Sequence, residues 1–183
     1  MKYLFCLLIT LFSFASHGKS ITTIEGVDVL NGKDLQIKTA DAKKGTVLVF
    51  LSAKCPCSAS HEGLLNDLTT KYPDFVFVGI HSNSDEDAEM TRLHFSSAAL
   101  KFPLIQDRKN KWANELGALK TPHAFVLNKN GEVVYSGGVT DSHTGPSAKN
   151  QLLNDVLEDL NAGKAPRIKE GRALGCFIQR EDA

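Results

Sequence analysis

The sequence has no excess of either charge, because 21 Lys and Arg balance 21 Asp and Glu among 183 residues. A protein that binds nucleic acid needs a basic excess to neutralise phosphates, so this balance argues against nucleic acid as a partner. Only 6 Pro and 14 Gly are present, which excludes collagen-like and low-complexity classes. With 42% hydrophobic and 23% charged residues, the composition is that of one folded, soluble domain.

Sequence motifs of several enzyme classes are also missing. The chain shows no glycine-rich phosphate loop, no Ser/His/Asp arrangement and no paired carboxylates for acid–base catalysis. It lacks the two Cys-x-x-Cys pairs that are typical of structural zinc sites. The sequence therefore predicts no bound cofactor.

The first 18 residues have the layout of a secretory signal peptide. Met1-Lys2 precedes an apolar run over residues 3–15, and the small residues Ser16 and Gly18 follow. A membrane-spanning helix needs about 20 apolar residues, so this run is too short to be a good anchor. We expect cleavage after Gly18 or Ser16, export to the periplasm or secretion, and no stable membrane span afterwards. An uncleaved N-terminal anchor is the alternative.

Hydrophobic patterning predicts strands that alternate with helices. Residues 46–52 and 75–80 are continuously apolar, which is typical of strands buried on both faces. One helix is predicted to end at Pro73, and the next to begin at the capping sequence Ser84 to Asp87, with Met90, Leu93 and His94 on one face. A short helix is expected around Trp112 and a last one over residues 151–160. Turns are predicted at Asn31-Gly32 and at 128–131. A βαβ unit followed by a ββα unit predicts an α/β fold in which helices cover both faces of a mixed sheet.

We place the folded domain at residues 19–163 and a C-terminal tail at 164–183. The tail contains the apolar residues Leu174, Phe177 and Ile178, so we expect it to dock on the domain. The sequence does not indicate an oligomeric state.

Few cysteines remain once the predicted signal peptide is removed. Loss of Cys6 leaves three of the four cysteines: Cys55, Cys57 and Cys176. An oxidising compartment permits disulfide chemistry, and an odd number leaves at least one thiol free or paired with another chain. This count differs from that of a simple structural disulfide.

The segment Cys55-Pro56-Cys57 lies where the first buried strand ends and a helix is predicted to begin. The free N–H groups and positive dipole end of a helix N-terminus stabilise a thiolate, which is the nucleophilic form of cysteine. A disulfide across one residue closes a small ring that stabilises the fold little, so a chemical role is favoured over a structural one. Cys55, which we expect to be the more exposed of the two, is the predicted nucleophile.

Strand residues 47–51 and the following Cys55-Pro56-Cys57-Ser58 resemble the active-site turn of the thioredoxin-like superfamily. Residues 120–135 look like the cis-proline strand and hairpin of that superfamily, and residues 175–178 (Gly-Cys-Phe-Ile) resemble a late motif of its exported redoxin (AhpC/TSA-type, peroxiredoxin-like) branch. The resemblance implies a three-layer thioredoxin-like fold. It also implies that Pro122 is cis beside the cysteine turn and that Thr121 presents its backbone to substrate.

The chain departs from both thioredoxins and typical peroxiredoxins. One residue instead of two separates the cysteines, and Lys54 precedes the first of them. Ser52 can stand for the peroxiredoxin Thr, but Leu48 occupies the Pro position and no arginine is assignable to peroxide binding. The resemblance therefore favours a thiol–disulfide oxidoreductase acting on protein or small-molecule thiols and disulfides, with a thiol-dependent peroxidase as the alternative.

Two roles remain open in the sequence. Cys57 is the predicted resolving thiol, and Cys176 is a second candidate that can equally be free or pair with another chain. A rival hypothesis is a copper-binding or copper-chaperone protein, because Cys55, Cys57, His61 and His123 could converge at one sheet edge, and sulfur with imidazole suits copper or zinc.

Overall fold

The computed structural model of the protein describes residues 20–181, so the predicted signal peptide lies outside the described residues. The strands are β1 (Thr23–Asp28), β2 (Asp34–Lys38), β3 (Gly45–Leu51), β4 (Phe75–His81), β5 (Leu104–Gln106), β6 (Lys120–Thr121), β7 (His123–Leu127), β8 (Val133–Gly137) and β9 (Cys176–Phe177). The α-helices are α1 (Pro56–Lys71), α2 (Ala88–Ala98), α3 (Lys111–Leu116) and α4 (Leu152–Asn161). Over residues 20–181, no helix is both long and apolar enough to cross a membrane.

A mixed seven-stranded sheet with the order β2-β1-β5-β4-β3-β7-β8 forms the centre of the molecule. Strand β3 pairs in parallel with β4 and antiparallel with β7, and β4 pairs in parallel with β5. Every residue of β3 is buried, because side chains packed on both faces of the sheet form two hydrophobic clusters. The structure confirms the predicted α/β fold with a mixed central sheet.

Helix α1 begins directly after the cysteine turn. Pro56 occupies its first turn, where a missing N–H leaves no hydrogen bond unmade, and the extended residue Cys55 is the N-cap. The helix ends at Lys71, before Pro73, as its sequence predicts. Buried Leu65 and Leu68 fix its inner face against the sheet.

The predicted start of α2 is wrong. The helix is capped by Asp87, whose Oδ1 accepts hydrogen bonds from the amides of Glu89 and Met90, so Ser84 lies in the preceding loop. Leu93 is 54% exposed, whereas Thr91 and Phe95 form the buried side. The packed side of the helix is set by its tertiary contacts, since the position of the cap does not change which residues share a helix face.

The C-terminal segment lies against the domain and ends beside the cysteine turn. Strand β9 pairs antiparallel with β6 in a separate two-stranded sheet, with Lys120 opposite Phe177 and Thr121 opposite Cys176. The next residue, Ile178, is buried in the second hydrophobic cluster. The docking that the apolar tail residues predict is therefore present in the structure.

Candidate active site

The Cys-Pro-Cys turn lies at the carboxyl end of β3, under the C-terminal strand. Cys55 is only 2% exposed, Cys57 is half-buried and Cys176 lies in the exposed strand β9. The expectation that Cys55 is the more exposed of the two turn cysteines is therefore wrong. The sequence around the turn cannot show that β6 and β9 cover its first sulfur.

The three cysteines converge although one of them lies far away in sequence. Their Sγ atoms all lie within 4.8 Å of one another, and all three thiols are free. The first two come from the β3–α1 turn, and the third is brought in by the pairing of β9 with β6. The structure thus joins Cys176 to the predicted site.

The Cys55 thiol also contacts the strand that carries the expected proline. Its Sγ donates a hydrogen bond to the carbonyl oxygen of Thr121 at 3.1 Å, and the Thr121–Pro122 peptide bond is cis. The cis geometry implied by the resemblance is confirmed. Thr121 and Pro122 therefore lie beside the sulfur that the sequence predicts to be the nucleophile.

The surroundings of the three thiols separate their pKa values. Burial raises the pKa of Cys55, but hydrogen bonding to the side chains of Cys176 and Thr121 and to the backbone of Ser58 outweighs burial and lowers that pKa from 9.0 to about 7. Burial and the neighbouring charge of Cys55 raise the pKa of Cys57. Burial and hydrogen bonding to Cys55 raise the pKa of Cys176 to about 12. Cys55 is therefore the group that ionises first, and the other two thiols keep protons that they can donate to it.

Glu86, which the sequence patterns do not single out as a site residue, anchors the loop that leads into the cysteine turn. Its Oε2 accepts a hydrogen bond from the Ala53 amide at 2.7 Å and lies 2.9 Å from Nε2 of His81. Its Oε1 accepts hydrogen bonds from the Ser52 hydroxyl and from Nδ2 of Asn83. Glu86 is therefore a buried anchor and not part of the helix cap that the sequence predicts.

The hydrogen bonds of Glu86 also determine its charge. Burial raises the pKa of this carboxyl, but hydrogen bonds from His81, Ser52 and Asn83 outweigh burial and lower the pKa to about 2. One sequence feature could have indicated the position: parallel strands β3 and β4 end at the same sheet edge, so the loop after β4 must lie near the cysteine turn.

Ser52 and Lys54 have partners other than the cysteines. The Ser52 hydroxyl donates to Glu86, so it is not directed at Cys55 in the way that a peroxiredoxin-type interpretation requires. The Lys54 ammonium lies 3.5 Å from a carboxylate oxygen of Asp85 and donates to its carbonyl. Lys54 is thus engaged at the surface.

The histidines of the predicted metal site do not join the thiols. His61 is buried, its Nδ1 donates to the Cys57 carbonyl at 2.7 Å, and its Nε2 lies 2.9 Å from the Thr140 hydroxyl. Nε2 of His123 lies 3.2 Å from the Ser136 hydroxyl, and burial lowers the pKa of this histidine to about 4. In the part of the chain that the structure describes, the cluster with metal-ligand geometry consists of the three cysteines alone.

A central mixed sheet, a cysteine at a helix N-terminus and an adjacent cis-proline define a thioredoxin-like protein. The family model described as Redoxin matches residues 16–152, and the chain belongs to the redoxin family.

One curated relative matches part of the sequence, and solved structures share the fold. "Thiol-disulfide oxidoreductase ResA" of Bacillus anthracis is 28% identical over 105 residues, which are 57% of this chain and 60% of that protein. The chain thus matches less than two thirds of that curated relative. The structure of an uncharacterized conserved protein from Geobacillus kaustophilus superposes with a TM-score of 0.80 at 22% identity, and the alignment covers 91% of this chain and 93% of that one. The structure of a secreted disulfide oxidoreductase of Mycobacterium tuberculosis superposes with a TM-score of 0.55 at 16% identity, and the alignment covers 76% of this chain and 95% of that one.

The first prediction concerns the ionisation of Cys55. With a pKa of about 7, its thiolate fraction should rise from about one tenth at pH 6 to about nine tenths at pH 8. The ultraviolet absorbance of the thiolate, followed against pH in the fully reduced protein, measures this fraction. Cys55→Ser is the control and should lose the transition near neutral pH. A wild-type protein that shows no ionisation below pH 8.5 would contradict the prediction.

A second prediction concerns Glu86. Glu86→Gln should lower the free energy of unfolding at pH 7 by about 2–3 kcal/mol, because the charged acceptor of several buried hydrogen bonds is lost. The folded-state pKa lies below the ordinary value of 4.5, so this stabilisation is complete above pH 4.5 and declines as the pH falls toward 2.

Urea unfolding of both proteins between pH 7 and pH 3 tests this expectation, and the difference between them should shrink with acidification. Glu89→Gln is the matched control, because the Glu89 side chain is 71% exposed and should be nearly neutral. Equal stability of wild type and Glu86→Gln at pH 7 would refute the anchoring role.

Proposed function

We propose that the protein is an exported thiol–disulfide oxidoreductase with Cys55 as its nucleophile. The observation that carries the proposal is the sulfur of Cys55 at the N-terminus of α1, with a pKa of about 7 and a hydrogen bond to the residue before a cis-proline. Membership of the redoxin family supports this activity. Export rests on the predicted signal peptide, and the secreted M. tuberculosis relative is consistent with it.

The first step is attack by the Cys55 thiolate on one sulfur of a substrate disulfide. A bond forms between Cys55 and that sulfur, the substrate disulfide breaks, and the second substrate sulfur leaves and takes up a proton. The positive dipole end of α1 stabilises the thiolate before attack. In this proposal, the backbone of Thr121 and the ring of Pro122 position the substrate beside Cys55.

The second step resolves the mixed disulfide. Cys57, or Cys176, loses its proton and attacks Cys55, which releases the remaining substrate sulfur as a thiol. The substrate gains two electrons and the protein gains one disulfide. Run in reverse, the same steps oxidise a dithiol substrate. Protein or small-molecule thiols and disulfides suffice as reactants, and no bound cofactor takes part.

Two variants test this function. Cys55→Ser should reduce disulfide exchange, measured as insulin reduction with a dithiol donor, by at least about 100-fold, because the nucleophile is lost. The double variant Cys57→Ser, Cys176→Ser retains the nucleophile but lacks both candidate resolving thiols, so it should accumulate mixed disulfides with substrate, which mass spectrometry detects as adducts at Cys55. Full activity of Cys55→Ser would refute the proposal.

Comparison of wild type with Cys55→Ser also tests the alternative function, a thiol-dependent peroxidase. We expect wild type to consume hydrogen peroxide no faster than Cys55→Ser, because the Ser52 hydroxyl is bonded to Glu86 and does not face the sulfur. A rate far above that of Cys55→Ser would favour the peroxidase instead.

The three converging thiols favour a second candidate function, binding of a soft metal ion. Cu(I) prefers thiolate ligands, and the three sulfurs have no histidine or carboxylate in their cluster within residues 20–181. The donor set therefore fits Cu(I) better than tetrahedral structural zinc, which takes four ligands.

Competition for Cu(I) between a colorimetric chelator and the reduced protein tests metal binding. Cys176→Ser removes one of three sulfur donors and should weaken binding by at least about tenfold. X-ray absorption should then report about three sulfur neighbours in wild type and fewer in the variant. Absence of competition by wild type would exclude this function and leave the oxidoreductase proposal intact.

A further inference from the structure

The edge of β6 beside Cys55 is occupied by the chain itself. An extended substrate segment adds to such an edge through backbone hydrogen bonds, with its side chains on either side. Here β9 takes that place, and Cys176 is the residue directly opposite Thr121. The tail therefore presents a cysteine at the position where the cysteine of a substrate segment would lie.

The chain packs closely against β6 at Gly175, the residue before β9. A Cβ atom on Gly175 would lie 1.9 Å from the carbonyl oxygen of Thr121 and 3.4 Å from Cβ of Cys57. Any side chain at this position would push the strand away from β6. Only glycine allows the backbone to come close enough to bring the next residue, Cys176, to the other two sulfurs.

Contacts after Cys176 hold the strand in place. The Ile178 amide donates to the carbonyl oxygen of Leu119 at 3.0 Å, and the Ile178 side chain is only 6% exposed. The Lys120 ammonium lies 4.7 Å from the centre of the Phe177 ring. Further along, the Ser84 amide donates to the carbonyl oxygen of Gln179 at 2.9 Å. The docked strand is thus a built interface of backbone pairing and apolar burial.

The ring sizes of the alternative disulfides favour Cys176 as the partner of Cys55. A Cys55–Cys57 bridge spans a single intervening residue, so it adds little stability and its geometry is strained. A bridge between Cys55 and Cys176 joins two segments that are already docked, with their sulfurs within 4.8 Å. It also closes a long loop, which restricts the unfolded chain more strongly.

We propose that residues 175–178 form an internal substrate strand, which binds the β6 edge as the cysteine-bearing segment of a partner would and supplies Cys176 as the thiol that forms a disulfide with Cys55. This inference rests on the proposed oxidoreductase function and assigns its resolving step to Cys176. It also means that the docked strand closes the β6 edge to partner proteins, so small disulfides are the substrates of the closed form.

The resolving step is balanced within the protein and its substrate. The Cys176 thiol loses a proton and attacks Cys55 in the mixed disulfide, the Cys55–Cys176 bond forms, and the substrate sulfur leaves with a proton as a thiol. The substrate disulfide has gained two electrons and the two cysteines have lost them. An external dithiol regenerates the protein in two exchanges: one of its thiolates attacks Cys176, the exposed sulfur, and releases Cys55 as the thiolate. The second thiol then loses its proton and attacks the first dithiol sulfur, which releases Cys176 as a thiol and leaves the dithiol oxidised to a disulfide.

Peptide mapping tests which disulfide forms. The reduced protein is treated with oxidised glutathione, quenched with acid and digested with trypsin without reduction. Cleavage after Lys54 and Lys71 places Cys55 and Cys57 in one peptide, and cleavage after Arg172 and Arg180 places Cys176 in another. We expect these two peptides to be cross-linked in wild type and in Cys57→Ser, and separate in Cys55→Ser.

The outcomes of this mapping separate the two proposals. A disulfide confined to the peptide of Cys55 and Cys57, with Cys176 free, would overturn the internal strand and preserve the oxidoreductase. A protein in which Cys55 forms no disulfide of any kind would overturn both. Cross-linked peptides in Cys55→Ser alone would exclude Cys55 as the partner of Cys176.

Gly175→Ala tests the strand without changing a cysteine. The added Cβ should lift β9 from β6, so the cross-linked peptides should decrease by about tenfold, and mixed disulfides between Cys55 and insulin chains, detected by mass spectrometry, should increase several-fold as the edge opens. Gly63→Ala is the matched control, because a Cβ there meets no atom within 4 Å, and it should leave both readouts unchanged. Unchanged mapping and an unchanged yield of mixed disulfides with insulin chains in folded Gly175→Ala would refute the internal strand.

Discussion

The site depends on one constraint, the stabilisation of a negative sulfur that is almost fully removed from water. Burial alone disfavours the thiolate of Cys55, which is 2% exposed. The N-terminus of α1 and hydrogen bonds from neighbouring groups reverse that effect. Each of these groups acts only when it is held close to the sulfur. Stabilisation of the thiolate therefore requires fixed positions of the β3–α1 turn, β6 and β9.

Two parts of the structure meet that requirement at opposite sides of the turn. On one side, buried Glu86 fixes the loop before Cys55 through the Ala53 amide and the Ser52 hydroxyl. On the other side, β9 covers the sulfur and contributes the Cys176 thiol as a hydrogen-bond partner. The strand that makes Cys55 more acidic therefore also limits access to it, and reactivity and accessibility are coupled in this fold.

Local patterns predicted the central elements because those elements are continuously apolar or carry strong turn signals. Strand β3 and the end of α1 before Pro73 agree with these patterns, whereas the cis-proline beside the cysteines agrees with what the family resemblance implies. The same kind of local pattern failed at Glu86. A serine followed by acidic residues gives the same sequence pattern whether the acidic side chains cap a helix or point into the interior. Only the neighbouring strand ends determine which of the two occurs.

The sequence by itself determined the alternation of strands and helices and the location of Cys55 and Cys57 at a helix start, because these depend on hydrophobic period and on residues close together in the chain. Tertiary structure alone decided that Cys55 is buried, that His61 and His123 stay apart from the thiols, and that Cys176 reaches them. These features arise where distant segments pair, and that pairing is set by the packing of the whole domain.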